Sequence, residues 1–126
     1  MIIKIDTYAE KPIYEQLRDS IILGIASNQL EENEPLPSAR NLAADLGINF
    51  HTVNKAYDAL RAGGYIVMDR RKTAKIAPKR TEGTVLPVLI ERLTLNAAEA
   101  ICCGVDERAF AALCFESYIK IKVGNV

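Results

Sequence analysis

The sequence predicts a mainly α-helical protein with a small β wing, in which a winged helix-turn-helix is followed by a two-helix region. Two short helical patterns meet at Gly47, and two short β patterns with a basic turn between them come next. This order of elements is typical of a winged helix-turn-helix. Two longer helical patterns then fill the chain beyond residue 87.

Length and composition describe an ordinary globular chain of 126 residues, with 49% hydrophobic and 25% charged residues. No apolar run approaches the ~18 residues of a membrane-spanning helix. The start, MIIKIDTYAEKP, lacks the apolar core and cleavage site of a signal peptide. We therefore expect a cytoplasmic protein without a membrane partner. Three cysteines, an odd number, do not indicate a disulfide framework.

Charge is unevenly distributed although the formal net charge is zero. Residues 1–35 carry three Lys/Arg and seven Asp/Glu, a net charge of −4. Residues 36–80 carry nine Lys/Arg and three Asp/Glu, a net charge of +6. Residues 81–126 carry four Lys/Arg and six Asp/Glu, a net charge of −2. A basic segment inside a neutral chain indicates a nucleic-acid partner better than the overall charge does.

The first element is a short apolar alternation, IIKID, which predicts a small edge strand at residues 2–6. Pro12 then suits the first turn of a helix, where its missing N–H costs nothing. That helix should end near Asn28, before the loop EENEPLP. Apolar residues recur at a spacing of four along its buried side: Ile13, Leu17, Ile21 and Ile25.

Ser38 is a good N-cap for a second, short helix, whose buried face would hold Leu42, Ala43 and Leu46. Gly47 should end this helix with a positive φ angle. Asn49 can cap the third helix, which Gly63 and Gly64 should end. The buried face of the third helix follows from helical spacing: Val53, Ala56, Tyr57 and Leu60.

The segments YIVMD and AKIAP predict two strands joined by the basic tip RRKT. The segment that follows has the composition of a linker. These patterns divide the chain into a winged helix-turn-helix at residues 1–78, a linker at 79–87 and a C-terminal helical dimerisation region at 88–126.

The dimerisation region contains one predicted helix at residues 88–103, ended by Gly104, and a second from Asp106 to about residue 123. Both helices are apolar on more than one side, and ~40 residues cannot bury that surface alone. We expect a second copy of the chain to cover it, although a ligand pocket between the helices is an alternative. The predicted dimerisation residues are Leu89, Leu93, Ile101, Phe110, Leu113 and Tyr118.

The exposed side of the third helix is polar, and a helix of this kind fits the major groove of DNA. Its candidate residues for base edges or phosphates are Asn49, His51, Thr52, Asn54 and Lys55. Phe50 could stack on a thymine methyl group or pack against the second helix. The wing residues that could bind phosphate or reach the minor groove are Arg70, Arg71 and Lys72.

Three segments resemble the GntR family of bacterial transcription regulators, specifically its short YtrA-like subgroup. They are PIYEQLRDSIILGIASNQL, LPSARNLAADLGINFHTVNKAYDALRAGGYI and the C-terminal AICCGVDERAF. The resemblance implies a homodimeric regulator, usually a repressor, that binds an inverted-repeat double-stranded DNA operator. It also implies a DNA contact by Arg40 at the start of the second helix, where Ser38 is a further candidate DNA-binding residue. Transporter or stress genes are the expected targets, and either a small-molecule effector of unknown identity or a change in the dimer is expected to relieve the activity.

The chain departs from the family pattern at three places. Phe50 stands where Pro or Arg is frequent, and Asn54 stands where Arg is frequent. In the wing, Arg71 and Thr73 stand where glycines are usual. We therefore expect the wing to turn differently from the family pattern.

Other functional classes have weaker support in the sequence. There is no glycine-rich phosphate loop and no nucleophile–base pair, so we predict no enzyme, no catalytic residue and no cofactor. His51 has no partner at metal-ligand spacing, so we predict no metal site. Two alternatives remain: a winged helix that binds only protein, and a thiol- or metal-sensing regulator that uses Cys102, Cys103 and Cys114.

Overall fold

A computed structural model describes residues 3–126 and divides the chain into two compact units, one up to Lys79 and one from Arg80 to Asn125. The first unit contains three helices and a two-stranded sheet, and the second contains two helices. The elements are α1 (Ile13–Ala26), α2 (Ala39–Leu46), α3 (Phe50–Ala62), β1 (Ile66–Met68), β2 (Ala74–Ile76), α4 (Pro87–Cys102) and α5 (Glu107–Lys122).

Helix α1 begins one residue after Pro12 and ends at Ala26, two residues before the predicted end. Of its predicted apolar stripe, Leu17 and Ile21 are fully buried, and Ile25 is nearly so. Ile13, in the first turn, is only half-buried. The spacing of four therefore identified the buried side of α1.

The predicted edge strand at residues 2–6 is wrong for its described part. Residues 3–6 form no strand, and Ile2 lies outside the described residues. Ile3 and Ile5 instead pack partly against the core, and the backbone N–H of Asp6 donates to the Gln16 side chain. Alternation alone cannot make a strand where no neighbouring strand offers a ladder of backbone hydrogen bonds.

The helix-turn-helix has the caps that its sequence predicts. Ser38 Oγ accepts a hydrogen bond from the backbone N–H of Asn41 at 3.1 Å, at the start of α2. Gly47 ends α2 with φ of 67°, in the left-handed region that glycine favours. Asn49 Oδ1 accepts from the backbone N–H of His51 at 2.8 Å and so caps α3.

Helix α3 lies at the centre of the first unit and packs against α1, α2 and β1. Its predicted inner face is buried throughout: Val53, Ala56, Tyr57 and Leu60. The Tyr57 hydroxyl donates to the backbone oxygen of Pro37 at 2.8 Å, which ties α3 to the segment before α2. Burial raises the pKa of Tyr57 to about 12.

The wing is an antiparallel pair in which Ile66 faces Ile76 and Met68 faces Ala74. Ile66 and Ile76 point into the core and are almost fully buried. A single bridge between Pro35 and Lys75 adds the loop before α2 to the other edge of β2. Strand β2 therefore has a backbone neighbour on each of its two edges.

The second unit consists of α4 and α5, close to the predicted bounds. Asp106 Oδ1 accepts from the backbone N–H of Ala109 at 2.8 Å and caps α5, and Gly104 has φ of 76°. No residue of either helix is buried, and the two helices make few close backbone contacts with each other. Among the described residues, no helix is long and apolar enough to span a membrane.

Candidate nucleic-acid interface

The outer side of α3 presents the polar residues that the sequence singled out. Asn49, His51 and Lys55 are exposed, whereas Thr52 and Asn54 are half-buried at the borders of this face. The buried side of the same helix is fixed in the core, so the outer side has a defined orientation. A rigid helix with short polar side chains is suited to hydrogen bonding with base edges.

Phe50 and Arg40 form a contact between the starts of α3 and α2. The Cζ atom of the Arg40 guanidinium lies 4.6 Å from the centroid of the Phe50 ring, a cation–π geometry. Phe50 is half-buried and packs against the core cluster. The ring therefore contacts α2 through Arg40, in line with one of the two roles that the sequence left open. The contact also holds the exposed Arg40 beside the first turn of α3.

Lys55 makes a similar contact with α1, which the sequence did not predict. Its Nζ atom lies 4.1 Å from the centroid of the Tyr14 ring. A groove of about 420 Å³ runs between the starts of α1 and α3 at this place. The residues along the groove are Pro12, Ile13, Tyr14, Asn49, His51, Thr52 and Lys55.

The two capping residues keep hydrogen-bonding capacity on the same surface. Ser38 and Asn49 each use a side-chain oxygen to accept from a backbone N–H. A hydroxyl and a side-chain amide also carry donor hydrogens, which can serve phosphate oxygens or base acceptors. Both residues can therefore fix the local backbone and present a donor at the helix start.

The basic wing tip, residues 70–72, is exposed. The backbone N–H of Lys72 donates to the backbone oxygen of Asp69 at 3.0 Å, and the N–H of Asp69 donates to the oxygen of Thr73 at 3.0 Å. Lys72 has φ of 60°. This is a three-residue hairpin loop whose last residue is left-handed. The left-handed position falls on Lys72, and not on Arg71 or Thr73, where the family pattern has glycines.

The Asp69 carboxylate organises this turn, a role that the sequence patterns did not predict. Its Oδ1 atom accepts from the backbone N–H of Arg71 at 2.9 Å and of Thr73 at 2.8 Å. Its Oδ2 atom lies 3.5 Å from Lys75 Nζ. The hydrogen bond from Thr73 is the main cause of a lowered Asp69 pKa, and Lys75 lowers it further. An Asp directly before a short basic turn was the available sequence signal.

The structure brings α2, α3 and the wing together in one unit. Within residues 3–126, no group of three or more His, Cys, Asp or Glu side chains could hold a metal ion. Cys102, Cys103 and Cys114 are free thiols, and all three are exposed on the second unit.

A family model for the bacterial regulatory proteins of the gntR family matches residues 10–76. The match covers more than half of the chain and includes every helix and strand from α1 to β2. The chain belongs to the gntR family. The predicted winged helix-turn-helix agrees with this membership, and so does the predicted class of a DNA-binding regulator of transcription.

Relatives in other organisms are named as regulators, and each matches this chain over part of its length. The transcriptional regulator Rv1152 of Mycobacterium tuberculosis is 34% identical over 64 residues, which cover 51% of this chain and 53% of that protein. The regulator YhcF of Bacillus subtilis is 28% identical over 91 residues, which cover 72% of this chain and 73% of that protein. The chain thus spans about half the length of Rv1152, and its match to the rhizopine catabolism regulator MocR of Rhizobium meliloti covers 13% of that protein.

Solved structures extend the likeness to the C-terminal helices. A transcriptional antiterminator from Listeria monocytogenes EGD-e has a TM-score of 0.85 at 28% identity, covering 100% of this chain and 96% of its own. YtrA from Sulfolobus acidocaldarius, a GntR-family transcription factor, has a TM-score of 0.65 at 37% identity. The match covers 79% of this chain and 99% of the YtrA chain. The chain therefore resembles short members of the family along most of its length.

Proposed function

We propose that the protein is a cytoplasmic homodimeric repressor that binds an inverted-repeat operator in double-stranded DNA. Residues 1–78 are the DNA-binding domain, residues 79–87 a linker and residues 88–126 the dimerisation region. Two winged helix units related by a two-fold axis read two half-sites about one helical turn apart. The resemblance to YtrA-like regulators favours transporter genes as targets and a small-molecule effector.

The observation that carries this proposal is the polar outer side of α3, held rigidly by a buried inner side. The segment that contains it, residues 36–80, has a net charge of +6 in a chain whose net charge is zero. Phosphate contacts from Lys and Arg give affinity, and base-edge contacts give sequence preference. A winged helix that binds only protein would leave this local charge without a role.

The candidate residues divide into two groups by chemistry. Asn49, His51, Thr52 and Asn54 lie along α3 and carry donors and acceptors for base edges. The second group carries cations or a hydroxyl for phosphate oxygens: Ser38, Arg40, Lys55, Arg70, Arg71 and Lys72. In this assignment Phe50 supports the interface by holding Arg40.

Dimerisation is supported by the apolar surface of α4 and α5. Five of the six predicted dimerisation residues are large and exposed, with 57% exposure at Leu89, 75% at Ile101 and 65% at Tyr118. Phe110 is half-buried. Exposed large apolar side chains in this number favour a protein interface. A second copy of the same two helices would offer a matching apolar surface across a two-fold axis.

Selection from a random duplex DNA library with the full-length protein tests the proposal. The expected product is a two-fold symmetric consensus whose affinity falls steeply as salt rises. Matching that consensus to the genome then identifies the regulated genes. Selection without enrichment, together with affinity that does not depend on salt, would favour protein–protein contact and contradict DNA readout.

A further inference from the structure

We propose that Asp69 is a positioning residue for DNA binding, whose carboxylate holds the wing tip, residues 70–72, in the shape that meets the DNA backbone. The proposal rests on the proposed function and deepens it. It adds an acidic residue to an interface that otherwise consists of basic and neutral side chains.

The geometry of the turn supplies the first argument. One carboxylate oxygen of Asp69 accepts two backbone N–H groups, at 2.9 Å from Arg71 and 2.8 Å from Thr73. These two residues flank Lys72, so the carboxylate holds the backbone on both sides of it. Two further backbone hydrogen bonds join Asp69 to Lys72 and Thr73. Asp69 thus takes part in all four of these hydrogen bonds.

The backbone conformation of Lys72 supplies the second argument. Its φ of 60° lies in the left-handed region, which costs a residue with a side chain free energy that glycine avoids. A lysine keeps this conformation only where surrounding contacts hold it there. The Asp69 carboxylate provides such contacts directly on both neighbours. Without them, the tip would sample other conformations, and the cations would lose their fixed spacing.

The negative charge of Asp69 should affect DNA binding in the opposite way to the hydrogen bonds that its carboxylate accepts. The carboxylate places a negative charge beside the basic tip and lies 3.5 Å from Lys75 Nζ. A negative charge here repels DNA phosphates and occupies a lysine that could otherwise face them. Asp69 should therefore favour DNA binding through hydrogen bonding and oppose it through charge. Two substitutions separate these contributions.

Asp69→Asn keeps the oxygen that accepts the two backbone N–H groups and removes the charge. Asp69→Ala removes both. We expect Asp69→Ala to weaken binding to a random-sequence DNA duplex about tenfold and to make the slope of log affinity against log salt shallower by about one. Asp69→Asn should bind at least as tightly as the wild type, with a slope at least as steep.

Asp58→Asn is the matched control for charge, because Asp58 is an exposed residue on α3 that pairs with Arg61 and lies outside the wing. A positioning role predicts that Asp69→Ala weakens binding and that Asp69→Asn does not. If Asp69 acted only through its charge, Asp69→Ala and Asp69→Asn would both tighten binding, as Asp58→Asn would. Equal affinities for both Asp69 variants would overturn the proposal.

Amide hydrogen exchange without DNA gives a second readout that does not depend on binding. Exchange at Arg71 and Thr73 should become faster in Asp69→Ala and stay near wild-type rates in Asp69→Asn. Unchanged exchange in Asp69→Ala would refute the hydrogen-bonding role while leaving the proposed function intact. Wild-type protein without salt-dependent affinity for any duplex would refute the proposed function, and the positioning role with it.

Discussion

The two units of this protein place their apolar side chains in opposite ways. In the first unit, Leu17, Ile21 and Leu60 are completely buried in a core shared by three helices and a sheet. In the second unit no residue of α4 or α5 is buried, and Ile101 and Phe115 are 75% and 67% exposed. The comparison indicates that the winged helix unit holds its shape by itself, whereas the C-terminal helices need another apolar surface.

This difference supports the proposed division of two tasks along one chain. The rigid first unit can hold a polar helix face in a fixed orientation, which DNA recognition requires. The second unit contributes an apolar surface that a second copy can cover, which would set the spacing of two recognition helices. Variants in the second unit should therefore change assembly, and variants in the first unit should change DNA contact or folding.

Leu113→Asp in the middle of α5 should have the largest effect. A buried aspartate would disrupt the proposed dimer, because an unpaired charge is costly to remove from water. Loss of the dimer should weaken operator binding by about 100-fold or more, since the two half-sites would no longer be bound together. Sedimentation and gel-shift titration measure the two effects. Glu116→Gln on the same helix is the control, and a Leu113→Asp protein that remains dimeric would contradict the proposed interface.

Arg40→Ala should weaken operator binding by about 1–3 kcal/mol without unfolding the protein. The side chain is exposed and lies over Phe50, so its removal takes a cation from the interface and leaves the core intact. Fluorescence anisotropy with the selected operator measures the change. Arg61→Ala near the end of α3 is the matched control, and equal affinity of both variants would exclude a DNA contact by Arg40.

Gly47→Ala should lower the free energy of unfolding of the first unit by about 1–2 kcal/mol. The φ of 67° is strained for alanine, while the space around the added Cβ atom is open, so the cost comes from the backbone alone. Urea denaturation measures it. Gly47→Asn should cost less, because asparagine tolerates the left-handed region better than alanine. Equal losses in both variants would argue against a backbone origin.

Tyr57→Phe should cost about 1 kcal/mol, because the Pro37 carbonyl loses the hydroxyl that donates to it. Burial raises the Tyr57 pKa from its ordinary value of 10.0 to about 12. The unfolded chain therefore loses this proton first as pH rises, and the wild type should lose stability between pH 10 and about 12. Denaturation curves against pH should show a smaller alkaline loss in Tyr57→Phe. An equal loss would assign the effect to other groups.

Local signals in the sequence predicted most of the first unit. Ser38, Gly47 and Asn49 were predicted correctly because caps and turns depend on a few neighbouring residues. The strand at residues 2–6 was wrong because a strand needs a partner that local alternation cannot supply. The helical spacing of α3 also separated its buried side from its polar side.

The interface contains features that no local pattern defines. Arg40 meets Phe50, and Lys55 meets Tyr14, across pairs of helices whose packing the sequence does not specify. Asp69 acts through backbone groups that come together only when the wing turns. For the C-terminal helices α4 and α5, the sequence predicted where each helix begins and ends and that each is apolar on more than one side.

The most direct test of the proposed division of tasks is the number of chains per particle, measured by sedimentation equilibrium for the free full-length protein and its complex with the selected duplex. We predict two chains in the free protein and two chains on each duplex, with one winged helix unit on each half-site. A free protein that stays monomeric at micromolar concentration and binds a non-symmetric duplex as a single chain would contradict the assignment of the C-terminal helices to dimerisation.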